Sequence, residues 1–88
     1  MLTVYSVLFT RSADKALRAM PREVAWRIPE RLDTIARDAY AQHNDATKLQ
    51  NRPGYRLLVG DWRVIYEIDG ERLIILVLRI ALRGEAYR

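Results

Sequence analysis

The chain contains no cysteine and a single histidine, His43, which removes much of the chemistry a small protein draws from those side chains. Without thiols there is no disulfide framework, no thiolate metal site and no cysteine nucleophile. One imidazole leaves a histidine-built metal centre or a Ser-His-Asp triad short of members. Long apolar runs are missing too. The longest, Leu73 to Leu78, is strand-sized and ends at Arg79, against the roughly 18 residues that span a bilayer. The opening residues Met1 to Tyr5 show neither a basic n-region nor a small-residue cleavage site, so a cytoplasmic protein without membrane association is expected. Repeats, low-complexity tracts and linkers are absent, and 88 residues supply one core. A single domain over 1–88 is therefore expected.

What is present is an ordinary globular composition, 50% hydrophobic and 30% charged, with fifteen Lys and Arg against eleven Asp and Glu for a net charge of +4. That excess favours an acidic or polyanionic partner. Along the chain the pattern changes period twice. Thr3 to Phe9 alternates Tyr5, Val7 and Phe9 against Val4, Ser6 and Leu8, and since both sets are largely apolar it reads as a strand inside a sheet. Ser12 is placed to cap a helix whose apolar positions Ala13, Ala16, Leu17 and Met20 fall at helical offsets. Pro21 suits the first turn of a second helix. There Val24, Ile28, Leu32, Ile35 and Ala39 recur every three or four residues to about Tyr40. Pro29 lies within it, where a proline removes a backbone hydrogen bond, so a kink or restart is expected at that point.

From Tyr55 the period is two. Gly60-Asp61 and Asp69-Gly70 are both two-residue hairpin signals, which predicts strands Tyr55 to Val59, Trp62 to Ile68 and Glu71 to Ile80. The expected fold class is α+β in the order β-α-α-β-β-β, with both helices on one face of a four-stranded, mainly antiparallel sheet. Two-residue turns also set register. The first pairs Val59 with Trp62, Leu58 with Arg63, Leu57 with Val64 and Arg56 with Ile65; the second pairs Ile68 with Glu71, Tyr66 with Leu73 and Val64 with Ile75. One face then collects Tyr55, Leu57, Val59, Trp62, Val64, Tyr66, Ile68, Leu73, Ile75 and Val77 as core. Trp62 falls in this set and reads as packing. The other face collects Arg56, Leu58, Arg63, Ile65, Glu67, Ile74, Leu76 and Leu78.

Arg56 and Arg63 thus sit on neighbouring strands near an apolar floor. Two readings are open: solubilising charge on a strand edge, or an anion site, since a guanidinium pairs bidentately with phosphate and keeps its charge. The segment from Ala81 to Arg88 adds Arg83, Tyr87 and Arg88. If it folds back over the basic face, arginines with an aromatic at hand suit RNA, although Tyr87 fits equally well as a packing lid over the strand end. Nothing in the sequence brings His43 to that face.

The run Lys48-Leu49 followed by Pro53-Gly54-Tyr55-Arg56-Leu57 and then Gly60 to Ile68, together with Leu78-Arg79-Ile80 and Arg83 to Tyr87, resembles the RelE/ParE toxin superfamily, nearer its RelE branch. The resemblance covers essentially the whole chain. It implies a type II toxin that enters the ribosomal decoding site and cuts mRNA without a metal or other cofactor, by attack of the ribose 2′-hydroxyl on the adjacent phosphate. It further implies a cognate RelB-like antitoxin, the ribosome and mRNA as partners, and DNA contact only through the antitoxin complex. Carried over position by position, Arg63 matches the arginine on the scissile phosphate, Arg83 the one near the leaving group and Tyr87 the tyrosine that orients the substrate. Arg56 falls where relatives carry a basic residue, and Lys48, Arg52 and Arg88 are positioned to hold flanking nucleic acid. Two departures stand out. Leu58 and Leu82 occupy sites where many relatives carry candidate proton carriers. A ParE-like inhibitor of DNA gyrase and a weakened toxin that mainly binds its antitoxin are the alternatives.

Overall fold

The computed structural model describes residues 4–83. Its elements run β1 (Ser6–Phe9), α1 (Arg11–Ala19), α2 (Arg22–Ala25), α3 (Arg27–Ala36), β2 (Ala46–Lys48), β3 (Tyr55–Val59), β4 (Trp62–Asp69) and β5 (Ile74–Leu82). The α+β class and the helices on one sheet face stand. The sheet, however, has five strands rather than the four expected, in the order β1-β5-β4-β3-β2. The added strand, β2, pairs antiparallel with β3 through Ala46, Thr47 and Lys48, too short a segment to display a period in the sequence. β1 pairs in parallel with β5 and so lies at an edge of the described sheet rather than inside it. Val7 and Phe9 turn toward the core while Ser6 and Leu8 are exposed; the apolar character of Leu8 is what mimicked an interior strand.

Both helical segments obey local chemistry slightly displaced from expectation. The N-cap of α1 is Thr10 rather than Ser12: its hydroxyl oxygen accepts the Ala13 N–H at 3.2 Å, satisfying one of the orphan donors of the first turn. The second helix breaks at Trp26, between α2 and α3. Pro29 thereby falls in the first turn of α3, where an absent N–H costs no helical hydrogen bond. The restart comes three residues ahead of the proline because that is what makes the proline harmless.

The core lies between the helices and the sheet. Ala13 from α1, Ile28, Leu32 and Ile35 from α3, and Leu57, Val64, Ile75 and Val77 from the strands are completely buried, each large aliphatic contributing about 1.5–3 kcal/mol by leaving water. Beyond α3, His43 donates a ring N–H to the Asp38 carbonyl at 2.9 Å, which ties it to the helix end. The Arg31 guanidinium forks onto both carboxylate oxygens of Asp45, at 2.5 and 2.8 Å. That pairing holds the Asp45 carboxyl below its ordinary range and anchors the turn leading into β2. The Leu58 N–H donates to the Asp45 carbonyl at 2.8 Å, so the anchored residue also extends the ladder beside β3.

Candidate functional site

The face of the sheet away from the helices carries the charge. In the β3–β4 ladder Leu57 stands opposite Val64, Arg56 opposite Ile65 and Leu58 opposite Arg63, the expected register. Gly60 has φ +58, the left-handed value that a two-residue hairpin with glycine first requires. Arg56 and Arg63 are therefore on one face of neighbouring strands. Each is half-buried, with its Nε withdrawn from solvent, while Ile65 between them is 6% exposed.

The β4–β5 ladder departs from expectation. Ile68 pairs with Ile75, Tyr66 with Val77 and Val64 with Ile80, against the Glu71, Leu73 and Ile75 that a two-residue turn would have supplied. The Asp69 carboxylate accepts the N–H groups of Glu71 and Arg72 at 3.1 and 3.0 Å, folding a longer loop in the manner of an Asx turn. Leu73, expected in the core, ends that loop with φ 57 and is 41% exposed. Near Tyr66 the displacement is four residues, an even number, so Ile75 and Val77 keep the expected face. A bulge between Ile65 and Tyr66 then alters the parity, and Arg79 arrives opposite Ile65. Sequence reasoning missed Arg79 because it ran the alternation unbroken through Leu78.

A groove of about 790 Å³ opens on this face. Its wall is the loop after β2, whose Leu49 N–H donates to the Gly54 carbonyl at 2.9 Å. Gly54 sits at φ +110, and a β-carbon there would lie 3.0 Å from the Tyr66 carbonyl oxygen, so the close approach of loop and strand needs glycine. Lys48, Arg52, Arg56 and Arg79 bring four cations to the groove, Glu67 is its carboxylate, and Ile65 and Leu78 are apolar.

Of the residues singled out by sequence, Lys48, Arg52 and Arg56 meet in this groove. Arg63 lies two residues along β4 from Ile65 and opposite Ala81. Arg83 follows β5, its N–H donating to the Asp61 carbonyl at 2.9 Å. It stands two residues beyond Ala81, the partner of Arg63. Tyr87 and Arg88 lie outside the described residues. Leu58 is beside Arg63 and 39% exposed. Leu82 pairs instead with Trp62, whose ring packs on the helix-side core. Of the two departures from the family pattern, only Leu58 therefore neighbours Arg63 on the basic face. Among the described residues no group of three His, Asp or Glu could hold a metal ion, and no helix is long and apolar enough to cross a membrane.

Residues 7–87 match the family described as the ParE toxin of type II toxin-antitoxin system, parDE. No curated protein sequence matches the chain. Among solved structures, the archaeal RelE-RelB complex from Pyrococcus horikoshii OT3 contains a chain 28% identical, with 92% of this chain and 97% of that one covered at a TM-score of 0.78. The RelBE2 toxin-antitoxin complex from Mycobacterium tuberculosis matches at 23% identity, 91% and 99% coverage and a TM-score of 0.76. The YoeB/ParE toxin from Agrobacterium tumefaciens matches at 12% identity, 89% and 98% coverage and a TM-score of 0.75; the latter two likenesses are of fold.

Proposed function

Because the chain belongs to the ParE toxin family of type II toxin-antitoxin systems, within the RelE/ParE superfamily, we propose that it is a ribosome-dependent endoribonuclease that cuts mRNA in the decoding site. The observation that carries this reading is the pair Arg56 and Arg63 on the outer face of the sheet, half-buried beside apolar residues, with Arg79 exposed on the same face. Such guanidiniums present forked donors to phosphate in a setting where water screens them less. In the reaction the ribose 2′-oxygen bonds to the adjacent phosphorus, the bond from phosphorus to the 5′-oxygen breaks, and the products are a 2′,3′-cyclic phosphate and a 5′-hydroxyl. The nucleophile is the ribose itself, so the step calls for no metal-activated water. Arg63 binds the scissile phosphate and stabilises the charge gathering on its equatorial oxygens. Arg83 stands near the leaving oxygen, Arg56 assists on the phosphate, and Tyr87 orients the nucleotide. Lys48, Arg52 and Arg88 hold flanking backbone.

Guanidiniums do not release protons near neutrality, and Leu58 leaves no proton carrier beside Arg63 in the β3 position. Dependence on the ribosome follows from that deficit, since ribosomal groups then complete the proton transfers. The partner is a RelB-like antitoxin, a reading supported by the complexes among the structural neighbours and by the net charge of +4, which an acidic segment complements. DNA contact belongs to the toxin–antitoxin complex, and the site of action is the cytoplasm.

The test is primer extension on a defined mRNA in a reconstituted translation system, with ribosomes present or omitted. Cleavage within the decoding-site codon only with ribosomes is the expected result. The family's ParE description favours one second reading, inhibition of DNA gyrase without cleavage. Absence of cleavage from folded protein, with loss of gyrase supercoiling on its addition, would replace the first reading by the second.

A further inference from the structure

The β4–β5 ladder changes parity once, and that change decides what the basic face is made of. Val77 stands opposite Tyr66 and Arg79 opposite Ile65, which leaves Leu78 as the extra residue of a β-bulge. In an unbroken ladder Leu78 would face Ile65, and Arg79 would pair with Val64, which is fully buried in the core. That is a costly place for a permanent charge. The bulge instead sends Ile80 into the core and Arg79 outward, in one row with Ile65 and Arg56 across β5, β4 and β3.

The irregularity is fastened from outside the hairpin. The Thr10 N–H donates to the Val77 carbonyl at 3.0 Å, and the Thr10 hydroxyl donates to the Leu78 carbonyl at 2.9 Å. One residue thus holds two successive carbonyls at the bulge. Its hydroxyl oxygen at the same time accepts from Ala13 as the cap of α1. A hydroxyl has one donor and two lone pairs; here the donor serves the bulge and a lone pair serves the helix. Serine retains both bonds, whereas valine, of the same shape, makes neither.

We propose that Arg79 and Arg56 form a two-arginine clamp for an RNA phosphate across the apolar floor at Ile65, with Thr10 as the positioning residue that keeps Arg79 in it. The backbones of β3 and β5 are about 10 Å apart with β4 between them, a gap that two long guanidinium side chains leaning inward close around one anion. Lys48 and Arg52 on the wall of the same groove surround the flanking backbone with further positive charge. The inference rests on the RNA-directed reading above. It adds to it a flanking-phosphate position beside the Arg63 and Arg83 pair, with Arg56 between the two, and a residue remote in sequence that controls it.

The experiment is fluorescence anisotropy of purified toxin with a short single-stranded RNA carrying 2′-O-methyl riboses, which binds without being cut, over a series of salt concentrations. Arg79, being exposed, is replaceable without loss of core. Arg79→Ala is expected to weaken binding about tenfold and to lower the salt slope by about 0.7, the loss of one phosphate contact on a single strand. Thr10→Val is expected to reproduce that loss and Thr10→Ser to restore parent affinity. The Thr10→Val/Arg79→Ala double variant should bind no more weakly than Arg79→Ala alone, as for residues acting through one another. Circular dichroism melts confirm that each variant is folded at the assay temperature. Parent-like affinity and slope in Arg79→Ala would overturn the clamp, and additive losses in the double variant would overturn the positioning role. A parent protein that binds this RNA yet leaves mRNA intact on ribosomes would sink the nuclease reading alone, with the Arg79 comparison still decisive. A parent that binds no RNA would overturn the clamp, while the nuclease reading stands or falls on the primer-extension experiment.

Discussion

The two hairpins of the sheet begin from nearly the same sequence signal and end in different geometries. Gly60-Asp61 closes β3 onto β4 with the glycine in the left-handed region, and the strands pair residue for residue from Val59 and Trp62 outward. Asp69-Gly70 contains the same two residue types in reverse order, yet there the aspartate side chain captures the backbone N–H groups of Glu71 and Arg72. The loop lengthens, and the left-handed conformation falls on Leu73 instead of on a glycine. The regular hairpin carries Arg56 and Arg63 at positions that simple alternation specifies. The irregular one carries Arg79 at a position that alternation denies. A glycine is a turn signal only where its own backbone takes the strain; where a neighbouring carboxylate folds the loop first, the same glycine carries no register information.

The largest expected effect separates the arginines of the two hairpins in activity. Arg63→Ala is predicted to lower ribosome-dependent cleavage by about 100-fold or more, the scale of removing one preorganised donor from a transition-state charge. Arg79→Ala, acting on a flanking phosphate, should cost about tenfold, in keeping with one lost phosphate contact. Primer-extension rates under single-turnover conditions check both. Equal losses would mean that the regular and irregular hairpins feed one phosphate site rather than two.

Next in size is a contrast between the turn glycines themselves. Gly60→Ala should destabilise by about 1 kcal/mol, because alanine pays the steric cost of a left-handed backbone. The space is not at issue, since the added β-carbon would meet only the Arg27 Nη1 at 3.7 Å. Gly70→Ala should change stability by less than about 0.5 kcal/mol. Gly70 is not among the positive-φ residues, and its nearest obstacle, the Tyr40 hydroxyl at 2.9 Å, is the far end of a side chain that is 63% exposed and touches Tyr5 edge-on, so a small tilt of the ring accommodates the added carbon. Urea midpoints measured side by side decide it; comparable losses would erase the distinction between the turns.

The same contrast explains how far the sequence could be read. The helix-packed face was legible because a buried face tolerates no odd register slip: the loop after Asp69 displaced the pairing by four residues, and Ile75 and Val77 stayed where alternation placed them. Lys48, Arg52 and Arg56 were legible as basic residues, and their meeting in one groove depended on β2, whose three residues are too few to show a period. Arg79 was hidden because a bulge is made by tertiary contacts, here two hydrogen bonds from Thr10, 68 residues from Leu78. The spacing marks Ser12 as the cap, whereas Thr10 takes that place because its hydroxyl also reaches the Leu78 carbonyl. The break at Trp26 rather than at Pro29 shows the complementary case, in which a residue with a fixed conformation moves the boundary of its helix instead of bending it.

Third in size is Asp69→Ala, predicted to cost about 0.5–1 kcal/mol through two lost hydrogen bonds on an exposed loop, with Asp69→Asn milder because its amide oxygen still accepts. The smallest effect has the opposite sign. Leu73 is a branched apolar residue at φ 57, a conformation that asparagine adopts far more readily. Its carbonyl accepts the Ser6 N–H at 2.8 Å and so joins β1 to the sheet, a bond that does not depend on the side chain. Leu73→Asn should therefore stabilise the protein by about 0.5 kcal/mol: the relief of roughly 1 kcal/mol in backbone strain exceeds the loss of packing by a side chain already 41% exposed. A urea midpoint raised in Leu73→Asn and lowered in Gly60→Ala would show that the two hairpins place the same left-handed residue on a suited and an unsuited side chain. A lowered midpoint in both would mean that Leu73 is held there by its apolar contacts, and that the irregular hairpin is packed from its loop as firmly as the regular one is folded from its turn.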